Sequence, residues 1–449
     1  MKIEYITNAS FLFTFSDGTT VLTDPWYEDG IYHGLLFNYP PMHEKQRTRY
    51  LNLKPDYLYI SHIHGDHFNP FTLSHFDKDI PILIGKFPTP ALRLALQQLG
   101  FTNITECTFD KPWELGEHSI TIIKEFSGSS DDIVNETNIP VDSSIYLEDG
   151  NGYKVFFAVD NPMQIRHAEQ IKATFGKLDA AILAYSGASI YPFVFSHYSD
   201  DEKHTRVAQL KASRLQKFCQ LAEIIDADFN IPAAGSFVIA GTGYQYAQYQ
   251  HQACPEEIES AWRNHNLNEN KLVMLSTGDA LDLASRSTEH SPLALDRNFT
   301  QQDRINYAES LADFPCELHR ITWPDGLMMP INSLIFKARA NVWSAQERLS
   351  TFPDTDVVLH IKPVEQLQAG LQCPIYAKID MKNERVQINT LFEPTEDKPY
   401  IKFTMTTQAL IALLLGGTFW NVAEYHMTIE RVPDQFDPTL RSLMSYFKL

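Results

Sequence analysis

The chain has 449 residues, of which 44% are apolar and 21% charged, and a formal net charge of −19. That length can bury a large core and suits two domains. The acidic balance argues against wrapping nucleic acid or lying on an anionic membrane, because both need positive surface; a local basic pocket for an anionic substrate stays open. Met1-Lys2-Ile3-Glu4-Tyr5 lacks the basic-then-apolar form of a signal peptide. The longest apolar run, Ala409–Leu415 continuing through Gly416-Gly417 to Trp420, is too short to cross a bilayer. The five cysteines, Cys107, Cys219, Cys254, Cys316 and Cys373, form no C-x-x-C or C-x-H pair. They suggest neither a disulfide framework nor a thiolate metal site, and a reducing cytoplasm is the expected compartment.

The first part reads as short strands and turns. Phe11–Phe15 and Thr20–Thr23 flank Ser16-Asp17-Gly18, a hairpin signal, and Asp24-Pro25-Trp26 ends the second strand. Tyr57-Leu58-Tyr59-Ile60 is an apolar, aromatic and β-branched run, read as a buried strand. Pro81–Ile84 and Ser119–Ile123 are further strands. Ser144–Leu147 and Lys154–Val159 flank Glu148-Asp149-Gly150-Asn151-Gly152, a second hairpin that ends at Asp160. Helices and strands then alternate: a helix over Pro162–Phe175 stopped by Gly176, a strand over Ala180–Tyr185, a long amphipathic helix from Asp200-Asp201 to about Ile225, and a strand over Phe229–Pro232. Residues from Ser285 to about Arg304 are polar and turn-rich and mark the boundary between a domain over 1–285 and one over 305–449. The second contains Ile375–Ile379, Val386–Ile388 and a helix over Thr407–Leu415, and reads as a smaller α+β unit that caps the pocket or mediates dimer contacts. No internal repeat or low-complexity segment appears.

The chemistry concentrates at Ser61-His62-Ile63-His64-Gly65-Asp66-His67. Three imidazoles and a carboxylate within six residues, in the loop that follows a strand, call for a metal. The H-x-H-x-D-H pattern resembles the metallo-β-lactamase fold, an α/β sandwich layered αββα. In that fold the first two histidines serve one metal and the Asp-His pair a second. Residues two apart in an extended loop point the same way, so His62 and His64 can share one ion while Asp66 and His67 turn to its neighbour. Two metals about 3.5–4 Å apart can activate one water or one dioxygen.

The resemblance implies further stations in chain order. Asp24, at the end of an early strand, matches a supporting carboxylate that orients a metal ligand from behind. Asp160 matches the carboxylate that bridges the metals; the plainer alternative is a helix N-cap before Pro162. Zinc hydrolases of the fold supply a third histidine between these points. His118 lies too early for that place, which reads Val141-Asp142-Ser143-Ser144. Asp142 is the expected replacement ligand, with a turn aspartate as the alternative. The usual late histidine is missing from Pro232-Ala233-Ala234-Gly235-Ser236-Phe237. His197 or His251 could substitute, although an ordinary polar role suits either. Carboxylate in place of imidazole makes the site harder and favours iron or manganese over zinc.

A closer resemblance runs along most of the chain. Asp24-Pro25-Trp26, Pro40-Pro41, Ile60-Ser61-His62-Ile63-His64, Val141-Asp142-Ser143, Tyr185-Ser186-Gly187-Ala188-Ser189 and Tyr191-Pro192-Phe193 are similar to the metallo-β-lactamase part of CMP-N-acetylneuraminate hydroxylases. So are Ala234-Gly235-Ser236-Phe237-Val238, Gly278-Asp279-Ala280-Leu281-Asp282-Leu283, Trp420 and Arg431-Val432-Pro433. Those hydroxylases carry a Rieske iron–sulfur domain, which needs C-x-H-type pairs that this sequence lacks. Electrons for an oxygenase are therefore expected from a separate ferredoxin or reductase.

Ser186 is read as part of a loop lining the pocket rather than a nucleophile, since it lacks a G-x-S-x-G elbow. His33, His43, Lys45, Arg47 and Arg49 form a modest basic segment, read as a solvated loop ahead of an anion contact. Gly241-Thr242-Gly243-Tyr244 is a weak glycine signal without a phosphate-binding context. The expected function is a diiron oxygenase acting on a small polar substrate, with Asp66 and Asp160 as catalytic carboxylates. A zinc or manganese hydrolase of an ester, lactone or phosphodiester is the alternative, and a metal-stabilised binding protein with closed coordination is the third class. No nucleic-acid or membrane partner is expected; a homo-oligomer is compatible with the sequence.

Overall fold

A computed structural model describes residues 1–126, 142–235, 237–295, 297–321, 331–363, 374–394, 398–435 and 437–449. Val141, Ser236 and Cys373 lie outside the described residues. Two mixed sheets face each other. One has eight strands in the order Ser287–Glu289, Ala280–Asp282, Lys2–Thr7, Ser10–Thr14, Thr20–Thr23, Tyr57–Tyr59, Ile82–Gly85 and Ile104–Cys107. The other has six: Phe229–Ala233, Ala180–Ala184, Lys154–Phe157, Ser143–Glu148, His118–Lys124 and Pro112–Leu115.

The period-2 alternation of the strands sorts their side chains between layers. Phe11, Phe13, Ile145 and Phe157 fill the space between the sheets. Phe156 and Leu183, one residue out of phase, pack outward on Phe218 and Trp262 of the helices Asp200–Ile225 and Pro255–Asn264. Leu58 and Ile82 pack outward on Tyr50 and Leu92 of the helices Glu44–Leu51 and Ala91–Gln98. The layers therefore run αββα. The expected hairpins form: Ser10–Thr14 pairs antiparallel with Thr20–Thr23, and Ser143–Glu148 with Lys154–Phe157.

Strand direction places the site. Tyr57–Tyr59 lies parallel to Thr20–Thr23 on one side and Ile82–Gly85 on the other, so Asp24 and the 61–67 loop emerge at the same edge. Lys154–Phe157 is parallel to Ala180–Ala184 and antiparallel to Ser143–Glu148, so the end of the former lies beside the start of the latter. Asp160 and Asp142 are thereby neighbours in space. Ligands at the carboxyl ends of strands are the rule in open α/β sheets.

A third sheet follows, ordered Arg385–Asn389, Ile375–Asp380, Asp356–Lys362, Tyr400–Thr406 and Thr428–Val432, with helices Ile331–Leu349 and Thr407–Leu414. Its core is not its own. Leu334, Leu359, Phe403 and Leu410 pack in one cluster with Trp26, Leu36, Phe193 and Phe237 of the sandwich. The backbone joins as well: Ser196 N–H donates to Ile429 O, and Ile429 N–H to Val194 O, both at 2.8 Å. The polar stretch from Ser285 to Arg304 is bound back onto the sandwich. Ser287–Glu289 extends the first sheet, Arg297 Nη2 donates to Asp279 Oδ1 at 2.6 Å, and the buried Arg304 donates to Gln252 O at 2.8 Å.

Candidate metal centre

The ligand loop is held from behind by Asp24. Ser61 N–H and Oγ–H donate to its two oxygens at 2.8 and 2.6 Å, and His67 Nδ1 meets Oδ2 at 2.9 Å. Asp24 is buried and has φ of 37°, a left-handed conformation uncommon for a residue other than glycine. Val159, directly before Asp160, has φ of 55°, which is rarer still for a β-branched residue. Strain of this kind costs about 1–3 kcal/mol per residue and clusters where a side chain must be aimed.

These hydrogen bonds set the imidazole tautomers. His67 donates Nδ1–H to Asp24, which leaves Nε2 buried with no hydrogen-bond partner. Ser61 Oγ, already donating to Asp24, accepts Nδ1–H of His62 at 2.9 Å and leaves His62 Nε2 bare. That nitrogen lies 2.8 Å from Nδ1 of His64 and 3.5 Å from Asp142 Oδ1. Donor atoms of His62, His64 and Asp142 all fall within 4.8 Å of one another, as do those of His62, His67 and Asp160. Asp160 Oδ2 and Asp66 Oδ2 stand 3.2 and 3.5 Å from His67 Nε2.

The charge state fits a cation at each group. Burial, with His67 and His64 nearby, holds His62 well below the ordinary imidazole range. Burial likewise lowers His64. Both are neutral, the form that binds metal. Burial would lower His67 too, but Asp160, Asp66 and Asp24 outweigh it and its pKa is raised. Burial would raise Asp66, yet His67 and His64 bring it down to about 2. The carboxylates around Nε2 thus demand positive charge, and a metal ion answers that demand as a proton does.

Of the residues named from sequence, His62, His64, Asp66, His67, Asp142, Asp160 and Asp24 come together. Asp160 caps no helix: the following helix starts at Ile165 with Gln164 as its cap. His197 and His251 join neither donor group among the described residues. His197 Nε2 lies 3.5 Å from Asp434 Oδ1, its ring against Tyr198. His251 is buried beside Gly187 and Arg214, and burial keeps it neutral. His118 stacks on Phe15 and faces Asp17 at 3.0 Å. The basic segment is not a solvated loop: Glu44–Leu51 is a helix, with Arg47 on Asp29 at 3.1 Å and Arg49 on Glu4 at 2.7 Å. Among the described residues the cysteines are all buried and free, and no helix is long and apolar enough to cross a membrane.

The centre opens into a cavity of about 710 Å³. His64, Asp66 and Asp160 line one end, and the strands Tyr400–Thr406 and Thr428–Val432 with the helix Pro438–Met444 line the other side. Ser186 and His197 do not line it; Ala188 and Ser189, next to Ser186, do. Several residues at this cavity escaped the sequence reading. Tyr32 OH donates to Asp66 Oδ1 at 3.2 Å from a backbone held at φ 55°. Burial raises its pKa well above the phenol range, with the Asp66 charge adding to the effect, so it stays a donor. The Tyr425 ring packs against it, tilted, with centroids 5.6 Å apart, and Glu424 pairs with Arg441 at 2.7 Å. No spacing in the sequence ties residues near 425 to residues near 66; only the shared core brings them together.

A family described as "Beta-lactamase superfamily domain" matches residues 2–213. Residues 2–213 are a β-lactamase superfamily domain. Its His and Asp groups could hold two metal ions, the dinuclear arrangement typical of the metallo-β-lactamase fold. The chain is 27% identical over 241 residues to a Mycolicibacterium smegmatis protein named "Putative Rieske 2Fe-2S iron-sulfur protein", covering 52% of this chain and 43% of that one. It is 24% identical over 297 residues to the cytidine monophosphate-N-acetylneuraminic acid hydroxylase of Danio rerio, covering 63% of this chain and 46% of the hydroxylase. The chain spans less than half the length of these curated relatives. Solved structures that align include CmlA, a diiron β-hydroxylase from Streptomyces venezuelae, at TM-score 0.42 and 18% identity over 65% of this chain and 54% of that one. An isothiocyanate hydrolase from Delia radicum gut bacteria aligns at TM-score 0.42 and 14% identity over 63% and 98%.

Proposed function

We propose that this β-lactamase superfamily chain is a dinuclear non-haem iron oxygenase acting on a small polar substrate, with electrons from an external ferredoxin or reductase. The observation that carries the reading is Asp142, whose carboxylate groups with His62 and His64 where a zinc hydrolase of the fold would place a third imidazole. Six donors with equal numbers of imidazoles and carboxylates form a hard, oxygen-rich set that suits iron or manganese. The curated relatives named as hydroxylases agree with this choice.

In this reading His62, His64 and Asp142 would hold one metal and Asp66 and His67 the other, with Asp160 as a further carboxylate ligand. When bound, the two irons would supply reductive activation of dioxygen. The protein's own residues do the rest. Asp24 and Ser61 lock the imidazole tautomers. Tyr32 keeps a proton at its phenol oxygen and aims it at Asp66. Burial of His62, Asp66, His67 and Asp142 withdraws those side chains from bulk water.

Purification from cells supplied with iron and zinc, followed by elemental analysis and absorption spectroscopy, tests the reading. Two irons per chain with a dioxygen-sensitive band support it. Two zincs with turnover in the absence of dioxygen overturn it in favour of a hydrolase. Asp142→Ala should lose metal, and unchanged metal content in that variant would remove the observation on which the reading stands.

A further inference from the structure

The lining of the cavity carries an unused positive charge. Three arginines line the cavity: Arg214, Arg431 and Arg441. Arg431 is held by Asp434 at 2.8 Å, and Arg441 by Glu424 at 2.7 Å. Arg214, on the helix Asp200–Ile225, has no ion pair and no hydrogen-bond partner among the described residues, and its Nε is buried. A guanidinium partly withdrawn from water normally finds a carboxylate or carbonyl, because its donors are costly to leave unmade.

The lining carboxylates do not serve it. Asp66 and Asp160 face the histidines, Glu424 belongs to Arg441, and Asp437 caps the helix Pro438–Met444 by accepting from Leu440 N–H. The fold also keeps a seat for this side chain. A Cβ at position 187 would stand 2.8 Å from Arg214 Nη1, so the glycine at 187 leaves the room that the guanidinium occupies. The cavity wall is also rich in rings: Tyr191, Phe195, Tyr400, Phe403 and Tyr425. A cavity of about 710 Å³ lies within the range of small-molecule sites.

We propose that the molecule bound here carries an oxyanion, a carboxylate or a phosphate, that pairs with the Arg214 guanidinium while an apolar or aromatic body lies along the ring-lined wall toward Asp66 and Asp160. Guanidinium suits this task because its planar fork matches either group with two parallel hydrogen bonds. The inference rests on the reading that this cavity serves the dinuclear centre, and it names the substrate class of that centre.

Calorimetric titration of the purified protein with benzoate, phenyl phosphate and neutral benzamide tests it, with metal content measured on every sample. At least one anion should bind about tenfold or more tightly than benzamide, a difference of about 1.4 kcal/mol, and the tighter anion names carboxylate or phosphate. Arg214→Gln should erase that preference at unchanged metal content. Arg214→Lys should keep part of it, and Gly187→Ala, which displaces the guanidinium without removing its charge, should weaken the anion several-fold. Wild-type protein that binds benzamide as tightly as both anions overturns the proposal, as does an Arg214→Gln variant that folds and keeps the full preference. Should Arg214→Gln fail to fold, unaltered anion binding in Gly187→Ala and Arg214→Lys has the same force. A preference that depends on Arg214 in a two-zinc protein that turns over without dioxygen would overturn the oxygenase and leave this inference standing; an iron protein without the preference would do the reverse.

Discussion

The cavity has two walls that treat carboxylates in opposite ways. On the inner wall, built by the sandwich, Asp66 is drawn down to about 2 by His67 and His64 in spite of burial. On the outer wall, built by the third sheet and its helices, burial pushes Glu424 above its usual range in spite of Arg441 at 2.7 Å. The inner wall is a loop of contiguous residues backed by a closed hydrogen-bond network through Asp24 and Ser61. The outer wall is assembled from segments far apart in sequence, and its charges are balanced pair by pair. The difference teaches that the inner wall is organised to hold cations, whereas the outer wall is organised to be packed; among the described residues, Arg214, on the sandwich helix Asp200–Ile225, is the lining arginine left without an ion pair.

Changes that strike one wall and spare the other sharpen the contrast. The largest effect is expected at the core the walls share. Trp26 is fully buried in the cluster that joins the sandwich to the third sheet. Trp26→Ala should cost about 3–5 kcal/mol. Thermal unfolding followed by circular dichroism should still show one transition, at a lower Tm. Two separated transitions would break the view that both walls fold as one unit.

Next comes the ion pair of the outer wall. Arg441→Met leaves the buried Glu424 carboxylate without its cation, at a cost of about 3 kcal/mol near neutral pH. Glu424 has a folded pKa above its unfolded value, so its contribution is most favourable at low pH and declines as pH rises from the unfolded value through the folded one. Without Arg441 the folded value moves higher still. Urea unfolding should therefore show a smaller loss at about pH 5 than at about pH 8; an equal loss at both would mean that the charge of Glu424 is not what Arg441 supports.

A smaller effect is expected behind the inner wall. Asp24→Asn keeps the shape but weakens the acceptor that fixes the His67 tautomer, and metal affinity should fall about 10–100-fold in a chelator competition. Unchanged affinity would remove Asp24 from its supporting role. The smallest concerns a hydrogen bond within the inner wall. Tyr32→Phe deletes the hydrogen bond to Asp66 and should cost about 1 kcal/mol in denaturant unfolding. A much larger loss would indicate that the left-handed backbone at Tyr32 depends on that bond.

Much of the inner wall was legible in the sequence. The H-x-H-x-D-H loop sits within one segment, and Asp24 and Asp160 each end a recognisable strand, so linear order and strand ends locate them. Asp142 could be placed because it stands just before the expected strand Ser144–Leu147, where the resemblance implies a third metal ligand. The helix Ile331–Leu349 went unread, because its neighbours on the shared core, not its own pattern, define its buried face. The helix Glu44–Leu51 was hidden by its charge, since its arginines pair with Glu4 and Asp29, far from it in sequence. His197 and His251 were plausible ligands by type alone; packing sends one to Tyr198 and the other to Gly187.

By itself, the sequence determined the cluster of imidazoles and carboxylates, the loop that presents them and the strands around it; the αββα layering followed from the resemblance to the metallo-β-lactamase fold. Those features depend on period-2 burial and on spacing within short segments, and both are local. Tertiary structure alone decided which arginine would be left without a partner, which tyrosine would reach Asp66, and that the third sheet would close the cavity. Pairing and burial of those groups depend on contacts between residues far apart in sequence, from Tyr32 with Asp66 to Ile429 with Val194, and no local pattern encodes such a contact.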